Sequence, residues 1–351
     1  MERYSIPNGE IVRARVEDVY PTIADGSVIL SVLDGPYGLD VAQWDRVPDL
    51  AVFYRPHIAE VSRVSAASAS VYFWNTHAGL IDVDPVFREY GWARRAVVTW
   101  DKGMGFLAGK IDTESCRTWP NVTEVCALYQ REPNEVDLWN QWGDVHPVRR
   151  YLNAARQRAG FTNAQVDEAV GASGMARHWF TWTQWCLPSA ERYAQLRALL
   201  PGLDRDLDDL RAEHARLWAE YRSEWERVRA PFVLPAGLTN VWSHPQVQGA
   251  ERLTDANGMT LHSCQKPILF ARRIVEASSR PGDLVFVPFG GTCREAVANE
   301  QIARFYPEQA RRTLSVEIDE DGRDYVGAVL RQIGGSDLGD GKPSGQVGLF
   351  R

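Results

Sequence analysis

The segment Asp34-Gly35-Pro36-Tyr37 places an acid, a stiff turn and an aromatic ring directly after an apolar run at 27–33. A carboxylate and a neighbouring backbone carbonyl can together accept both hydrogens of an exocyclic amine and favour sp³ character at its nitrogen. The Tyr37 ring could stack on a base drawn out of a duplex and offset part of the unstacking cost. A purely structural Asp-Gly-Pro turn is the alternative interpretation, because such turns are common.

A glycine-rich turn between a predicted strand at 284–287 and a following helix is the second candidate site. The turn consists of Pro288, Phe289, Gly290 and Gly291. Glycines let the backbone approach a ligand closely and point a helix N-terminus at it. Glu317 ends the next predicted strand, and an acid there could accept both ribose hydroxyls of a nucleoside cofactor. An ordinary strand–helix turn without a ligand is the alternative.

Residues 146–200 carry seven arginines against three acidic residues, although the whole chain has a net charge of −7. Short predicted helices with tight turns at 159–160 and 171–174 have the layout of a helix-turn-helix, with a recognition segment at 173–183. The residues expected to contact DNA are Arg149, Arg150, Arg177, His178 and Trp179. A small helical bundle with exposed arginines is the alternative.

A long charged helix is predicted to follow and to stop before Pro231. Its apolar or bulky residues recur at a near-heptad spacing, at Leu207, Leu210, His214, Leu217, Tyr221, Trp225 and Val228. This spacing suits a strut or a dimer seam and indicates no chemistry.

Composition sets outer limits on the function. The net charge excludes a chain that is basic throughout, so any face for nucleic acid must be local. The five cysteines form no CxxC pair and the histidines have no metal-ligand spacing, which predicts reduced thiols and no metal site. No apolar run reaches the ~18 residues of a membrane span, and the N-terminus lacks the apolar core of a secretory signal. We therefore expect a cytoplasmic protein, bacterial or phage-encoded, with no membrane partner.

The motifs resemble those of S-adenosylmethionine-dependent DNA amino-methyltransferases. Asp34-Gly35-Pro36-Tyr37 resembles their Asp-Pro-Pro-Tyr catalytic motif. The stretch HSCQKPILFARRIVEASSRPGDLVFVPFGG resembles their His-Pro-x-Gln-Lys-Pro segment followed by the Asp-Pro-Phe-x-Gly-x-Gly cofactor loop. The catalytic motif comes first, the insert next and the cofactor loop last, which is the permuted order of the beta class.

The resemblance implies an α/β fold: a Rossmann-like methyltransferase sheet with permuted motif order and an inserted all-α recognition module, as in phage-type members. The implied organisation is a catalytic half at 1–132, a helical insert for DNA recognition at 133–232, a cofactor-binding half at 233–334 and a flexible tail at 335–351. Double-stranded DNA is the implied partner. A homodimer is compatible with the family, whose members often pair.

The resemblance also implies a role for the catalytic motif. Asp34 would accept one hydrogen of the target amine, the carbonyl of Gly35 the other, and Tyr37 would stack on the flipped base. The methyl group would pass directly from sulfonium to nitrogen, so no catalytic cysteine is expected. Some cytosine-modifying relatives carry serine in place of the acid, so Asp34 favours adenine N6 over cytosine N4.

S-adenosylmethionine is the implied cofactor. Phe289 and Gly291 would line it, and Glu317 would hold its ribose. Lys266 with Gln265 would close the methionine end. These assignments follow the family motifs and not the local pattern alone.

Four positions depart from the family pattern. Gly35 replaces the first proline of the catalytic motif, which leaves a carbonyl but a less rigid loop. In the cofactor loop, Val287 replaces the acid and Cys293 replaces the last glycine, followed by Arg294. One alternative is therefore a catalytically degenerate DNA-binding homologue. Another is an enzyme using a modified cofactor whose added carboxylate pairs with Arg294, and a third is methylation of RNA or a protein amide.

Overall fold

The computed structural model describes residues 1–107, 112, 114–131, 146–181, 184–234, 237–254, 258–262, 264–319 and 323–335. The chain divides into two compact units, Met1–Glu132 with Ala230–Arg351, and Pro133–Arg229. Apart from Gly335, the tail predicted at 335–351 lies outside the described residues, as do the last two positions of the predicted recognition segment.

Nine described strands form one mixed sheet in the larger unit, in the order β1-β2-β9-β8-β3-β4-β6-β5-β7. The strands are β1 Glu2–Ile6, β2 Gly9–Arg13, β3 Val28–Leu33, β4 Ser65–Asn75, β5 Trp92–Asp101, β6 Thr123–Arg131, β7 Val241–Ser243, β8 Leu284–Val287 and β9 Arg312–Glu317. The described α-helices of this unit are α1 Val16–Val19, α2 Leu50–Val64, α3 His77–Glu89, α9 Ile268–Ser278, α10 Arg294–Phe305 and α11 Tyr325–Gly334. The predicted α/β fold class is confirmed.

Strand direction brings distant parts of the chain to one edge of the sheet. Strands β2, β9, β8, β3 and β4 are parallel neighbours, and β6 pairs antiparallel with both β4 and β5. The carboxyl ends of the parallel strands therefore share an edge with the start of β6. The chain leaves β3 towards β4 but leaves the adjacent β8 towards β9 on the other side. Such a reversal opens a crevice at the carboxyl ends, where ligands bind in open α/β sheets.

Alternate residues of the central strands face two separate cores, as the two-residue period of a strand requires. On one face, Phe73 packs with Tyr54 and Ile58 of α2. On the other face, Trp74 packs with Phe270 of α9. The central strands are thus covered on both faces, which explains why their sequences are almost continuously apolar.

Several element boundaries differ from the sequence prediction. Apolar runs in the sequence predict strands at 27–33, from Ser70, at 96–100, at 121–130 and at 284–287, and a helix at 56–69. Each predicted strand lies within or overlaps a strand of the sheet. The helix predicted at 56–69 was misplaced, because α2 begins at Leu50 and includes Pro56 in its interior. Asp49 caps that helix by accepting from the Val52 amide, a start signal that Pro56 obscured.

The regular elements described in the smaller unit are all helices. Its helices are α4 Pro147–Arg158, α5 Asn163–Val170, α6 Ala176–Phe180, α7 Ala190–Leu199 and α8 Leu207–Val228. Helix α5 starts with a Thr162 capping box and ends at Gly171 in the left-handed conformation, so a tight turn separates it from α6. Within the described part of the chain, no helix is long and apolar enough to cross a membrane.

Two of the five predicted DNA contacts need correction. Trp179 is 2% exposed and belongs to the core of the helical unit, where its ring packs against that of Phe180. Arg149 is also buried and donates from Nη1 to the carbonyl of Phe180. Trp179 lies in the five-residue helix α6, which shows too little periodicity for the sequence to reveal which side faces inward. Arg150 and Arg177 are exposed and His178 is half-buried, so their contacts with DNA stay predictions.

Replacing Trp179 with alanine should destabilise the helical unit by about 3–5 kcal/mol, the range for removing a buried aromatic side chain. Chemical denaturation followed by circular dichroism measures this loss. Arg177→Ala is the matched control, because this neighbour is exposed and should leave the free energy of unfolding unchanged. Unchanged stability in Trp179→Ala together with weaker DNA binding would restore the original prediction.

Candidate active site

The loop after β3 carries the predicted catalytic motif at the shared edge of the sheet. Leu33 is fully buried at the end of the strand, whereas the next side chain, Asp34, is 25% exposed. Pro36 is fixed through its carbonyl, which accepts from the buried hydroxyl of Tyr54 at 2.9 Å. The apolar strand therefore ends in an acid because the chain passes there from the core into a crevice.

Asp45, which the sequence did not single out, holds the next part of this loop. Its Oδ1 accepts from the amides of Tyr37 at 2.6 Å and Gly38 at 3.1 Å. Its Oδ2 accepts from the amides of Leu39 at 2.8 Å and Val41 at 3.3 Å. The carboxylate is 1% exposed. One buried side chain thus satisfies four backbone donors that no strand or helix would satisfy.

A chain of alternating charges surrounds Asp34. Lys266 Nζ donates to Asp34 Oδ1 at 2.8 Å and to the Tyr37 hydroxyl at 3.0 Å, and lies 3.3 Å from Glu124 Oε2. The Tyr37 hydroxyl donates to the same Asp34 oxygen at 2.9 Å. Lys102 pairs with the other oxygen of Glu124. Two carboxylates and two ammonium groups therefore form one neutral cluster.

Burial and charge pairing act in opposite directions within this cluster. Burial raises the pKa of Asp34, and the neighbouring Lys266 ammonium counteracts that rise. Burial alone would lower the pKa of Lys266, but Asp34 and Glu124 outweigh it and raise that pKa. Burial would also raise the pKa of Glu124, but Lys266 and Lys102 bring it below its usual value. The cluster favours an ammonium at Lys266 and a carboxylate at Glu124.

Lys266 lies at the Asp34 end of the site, where the sulfonium of a bound cofactor would have to face the target amine. Its place at the methionine end of the cofactor, which the family motif implied, stays a prediction. Its neighbour Gln265 is 2% exposed, and its side-chain amide is hydrogen-bonded within the protein. The amide oxygen accepts from the Leu253 backbone amide, and the amide nitrogen donates to the Glu251 carbonyl. Both side chains line the same cavity.

The predicted cofactor loop leaves β8 beside the end of β9. Gly290 donates its amide to the Val316 carbonyl at 2.6 Å, and a Cβ at Gly290 would lie 2.9 Å from that oxygen. The Gly291 amide donates to Oε2 of Glu317, and the Asp319 amide donates to Oε1 at 3.2 Å. Gly291 has a φ of +51°, a conformation that favours glycine. These contacts fix the Glu317 carboxylate beside the loop.

Gly35 has a clear steric reason to differ from the family's proline. A Cβ at this position would lie 2.8 Å from the Tyr54 hydroxyl and 2.9 Å from Cδ2 of Phe289. The Phe289 ring also lies edge-on against His57, with centroids 5.0 Å apart. The absence of a side chain at Gly35 therefore lets the catalytic loop pack closely against Phe289 of the cofactor loop.

The three residues of the cofactor loop that differ from the family pattern, Val287, Cys293 and Arg294, are buried and do not line the crevice. Cys293 is fully buried and packs with Ile11 and Val297 in a separate apolar core, so its side chain does not obstruct the crevice. Val287 is 1% exposed and packs in the sheet core. Arg294 is 3% exposed and donates to Thr292 Oγ1 at 3.0 Å, and it is not among the residues that line the cavity.

A single cavity of about 390 Å³ joins the two loops. Its lining includes Asp34, Tyr37 and Lys266 from the acidic end and Phe289 and Glu317 from the other. The volume lies within the range of pockets that take drug-sized ligands. Further aromatic side chains line the cavity, namely Trp44, Phe53, His57, Trp100, Phe106, His262 and Tyr325.

Residues 28–327 match the model of a protein family described as DNA methylase. That match covers most of the chain and includes both loops. The chain belongs to the DNA methylase family. The family prediction made from the motifs is thereby confirmed.

One relative of this DNA methylase and two solved structures illustrate what the chain is similar to. The type II methyltransferase M.HinfI of Haemophilus influenzae is 32% identical over 81 residues, which is 23% of this chain and 23% of that protein. The M1.HpyAVI–SAM complex is 10% identical with a TM-score of 0.48, covering 91% of this chain and 98% of that one. PvuII DNA methyltransferase (cytosine-N4-specific) is 10% identical with a TM-score of 0.49, covering 93% and 86%.

Proposed function

We propose that this DNA methylase transfers a methyl group from S-adenosylmethionine to the exocyclic amine of a base flipped out of double-stranded DNA. Adenine N6 is the favoured target over cytosine N4. The observation that carries the proposal is the Asp34 carboxylate in the crevice, where Lys266 and Tyr37 both donate to Oδ1 at 2.8 and 2.9 Å. Among the described contacts, Oδ2 receives no donor and is left for an amine hydrogen.

The remaining motif residues complete an amine-binding end of the cavity. The Gly35 carbonyl belongs to a loop that Tyr54 and Asp45 hold in place on either side. The Tyr37 hydroxyl is tethered to Asp34, which holds the ring beside the place where a flipped base would stack. A carboxylate and a carbonyl would then accept the two amine hydrogens and orient the nitrogen lone pair for attack.

The donor set at the other end fits a nucleoside cofactor. Glu317 presents a carboxylate for the ribose hydroxyls, Phe289 offers an apolar wall, and the absence of a side chain at Gly291 leaves room for a ligand. When bound, S-adenosylmethionine would supply a sulfonium methyl group as the electrophile. The chain's own residues would bind it, orient the amine and take up the proton released from nitrogen.

A nucleoside mass profile of DNA from cells expressing the protein tests the proposal, with Asp34→Ala as the control. A new N6-methyladenine peak that disappears in the control is the expected result. A new N4-methylcytosine peak would keep the reaction but overturn the choice of base. Soluble protein that binds DNA without any new peak would overturn the proposal in favour of a binding-only homologue.

A modified cofactor is the second candidate, and the burial of Arg294 bears on it. The Nη1 and Nη2 atoms of this guanidinium are buried and have no hydrogen-bond partner among the described residues. Burial lowers its pKa to about 10. Since Arg294 does not line the cavity, pairing with an added carboxylate would require the side chain to move. A base modified by a group heavier than methyl would support this candidate.

Cys264 offers a test of cofactor binding that needs no turnover. Its side chain is exposed and lines the cavity, whereas Cys186 is exposed in the helical unit. We expect S-adenosylmethionine to slow alkylation of Cys264 at least about tenfold at saturation, because a ligand in the cavity covers the thiol. Peptide mass spectrometry measures both rates.

Cys186 provides the internal control, since its alkylation should not depend on the cofactor. Equal alkylation of Cys264 with and without S-adenosylmethionine would contradict cofactor binding in this cavity. The buried Cys126 and Cys293 should stay unlabelled in the folded protein, because burial raises the pKa of both thiols.

A further inference from the structure

We propose that Lys266 and Glu124 set, in opposite directions, how readily the Asp34 carboxylate takes up the proton released by the target amine. This inference rests on the proposed function and deepens it. When the nitrogen forms its new bond to carbon, one N–H bond must break. The electron pair stays on nitrogen and the proton forms an O–H bond with Asp34. The two flanking residues act as positioning residues for that step.

The contacts of Lys266 place it at this end of the site. Its ammonium has three hydrogens, and three acceptors surround it: Asp34 Oδ1 at 2.8 Å, the Tyr37 hydroxyl at 3.0 Å and Glu124 Oε2 at 3.3 Å. It also lies 5.2 Å from the centre of the Tyr37 ring and 5.3 Å from that of Trp74. A side chain with these partners has no hydrogen left over for a ligand elsewhere.

The charge order explains why the two effects oppose each other. Lys266 stands between two carboxylates and stabilises the ionised form of each. Without it, the half-buried Asp34 and the more buried Glu124 would be neighbouring acids with no shared cation, and the pKa of Asp34 would rise. The negative charge of Glu124 offsets part of the effect of the Lys266 ammonium on Asp34. The pKa of Asp34 is therefore higher than Lys266 alone would leave it, which favours uptake of a proton.

Lys102 completes the arrangement from the far side of Glu124. Its ammonium pairs with Glu124 and lies 4.9 Å from the centre of the Trp100 ring and 4.5 Å from that of Phe106. Lys266 lies closer to Asp34 than to Glu124, at 2.8 Å against 3.3 Å, and Lys102 supplies the second positive charge that favours an ionised Glu124. The cluster can therefore hold a carboxylate at Asp34 inside a buried site without excess charge.

Other titratable groups also face Asp34 and enter the experiment as controls. They are Tyr37 of the same loop, Tyr54 of α2, Cys126 of β6 and Glu295 of α10. Burial raises the pKa of Glu295 to about 7, and the charge of this acid acts on Asp34. Glu295→Gln shows whether protonation of this acid perturbs the titration of Asp34.

The test is a titration of Asp34 in the full-length, cofactor-free protein by carbon-13 NMR of labelled aspartate carboxyls, assigned with Asp34→Asn. Lys266→Met should raise the pKa of Asp34 by about 1–3 units, the usual effect of losing a close opposite charge. Glu124→Gln should lower it by about 0.5 unit, because a neighbouring negative charge disappears. Lys266→Arg retains the cation and should keep the pKa within about 0.5 unit of that of the wild type.

Activity supplies a second readout that distinguishes this inference from the proposed function. The acidic limb of the pH profile of kcat/KM should move to higher pH in Lys266→Met and to lower pH in Glu124→Gln. Unshifted Asp34 titrations in both variants would overturn the inference, even if the wild type methylates DNA. An inactive wild type would overturn the proposed function, while opposite shifts in the titration would still support the electrostatic roles. If Lys266→Met does not fold, the sign of the Glu124→Gln shift decides.

Discussion

Asparagine in place of Asp34 is expected to lower kcat for methylation by about 10²–10³-fold while changing the dissociation constant for DNA by less than about threefold. Asparagine keeps one acceptor oxygen, and Lys266 and Tyr37 would compete for it. The amide nitrogen would replace the oxygen that the amine needs as an acceptor. The neutral side chain would also fail to offset the positive charge that develops on nitrogen. Loss of one preorganised electrostatic contact of this kind costs about 2.7–4 kcal/mol at the transition state.

Steady-state kinetics with labelled S-adenosylmethionine, together with a DNA-binding titration, measures the two effects separately. Asp40→Asn is the matched control, because Asp40 is exposed and forms a surface ion pair with Arg46. It should retain wild-type kcat. If Asp34→Asn kept more than half of the wild-type kcat, the amine could not depend on the carboxylate, and both proposals for this site would fail.

The sequence predicted the two loops of the site because each carries its own signal. An apolar strand that stops at Asp34, and another that stops at Pro288, mark the ends of buried strands. Those ends meet because β3 and β8 are adjacent and parallel. A buried strand followed by an acid or a glycine is a local pattern, so sequence analysis can find it.

Glu124 and Lys102 escaped prediction because their position depends on topology. Glu124 comes at the start of β6, which runs antiparallel to its neighbours, and Lys102 follows the end of β5. Only this reversal brings the beginning of one strand to the edge where the others end. An acid at the start of an apolar strand looks the same in sequence whether that edge binds a ligand or faces solvent.

Lys266 shows a different limit of motif reasoning. The family motif implied that Lys266 closes the methionine end of the cofactor, and Lys266 does line the cavity, but the motif did not indicate its contact with Asp34. A lysine side chain spans several ångströms from its backbone, so its ammonium can reach either loop. The contact between Lys266 and Asp34 shows which loop the ammonium reaches. Because the two residues are 232 positions apart in the chain, no local sequence pattern predicts this contact.

Alanine in place of Asp45 is expected to reduce the free energy of unfolding by about 2–4 kcal/mol and to abolish most methylation. The substitution leaves four backbone amides, from Tyr37 to Val41, without their acceptor. A hydrogen bond to a charged group contributes about 1.5–3 kcal/mol, and water can replace part of that near a cavity. Because the Tyr37 amide is among the four, the ring and hydroxyl beside Asp34 would lose their fixed position.

Thermal and chemical denaturation measure the stability change, and a nucleoside mass profile measures the product. Asp45→Asn should fall between alanine and the wild type, since it keeps one acceptor oxygen for two of the four amides. Asp40→Ala again serves as the control, because loss of an exposed ion pair should cost at most about 1 kcal/mol. An Asp45→Ala variant with wild-type stability and activity would show that the loop keeps its shape without the carboxylate. The Gly35 contacts with Tyr54 and Phe289 would then be the main constraint on the catalytic motif.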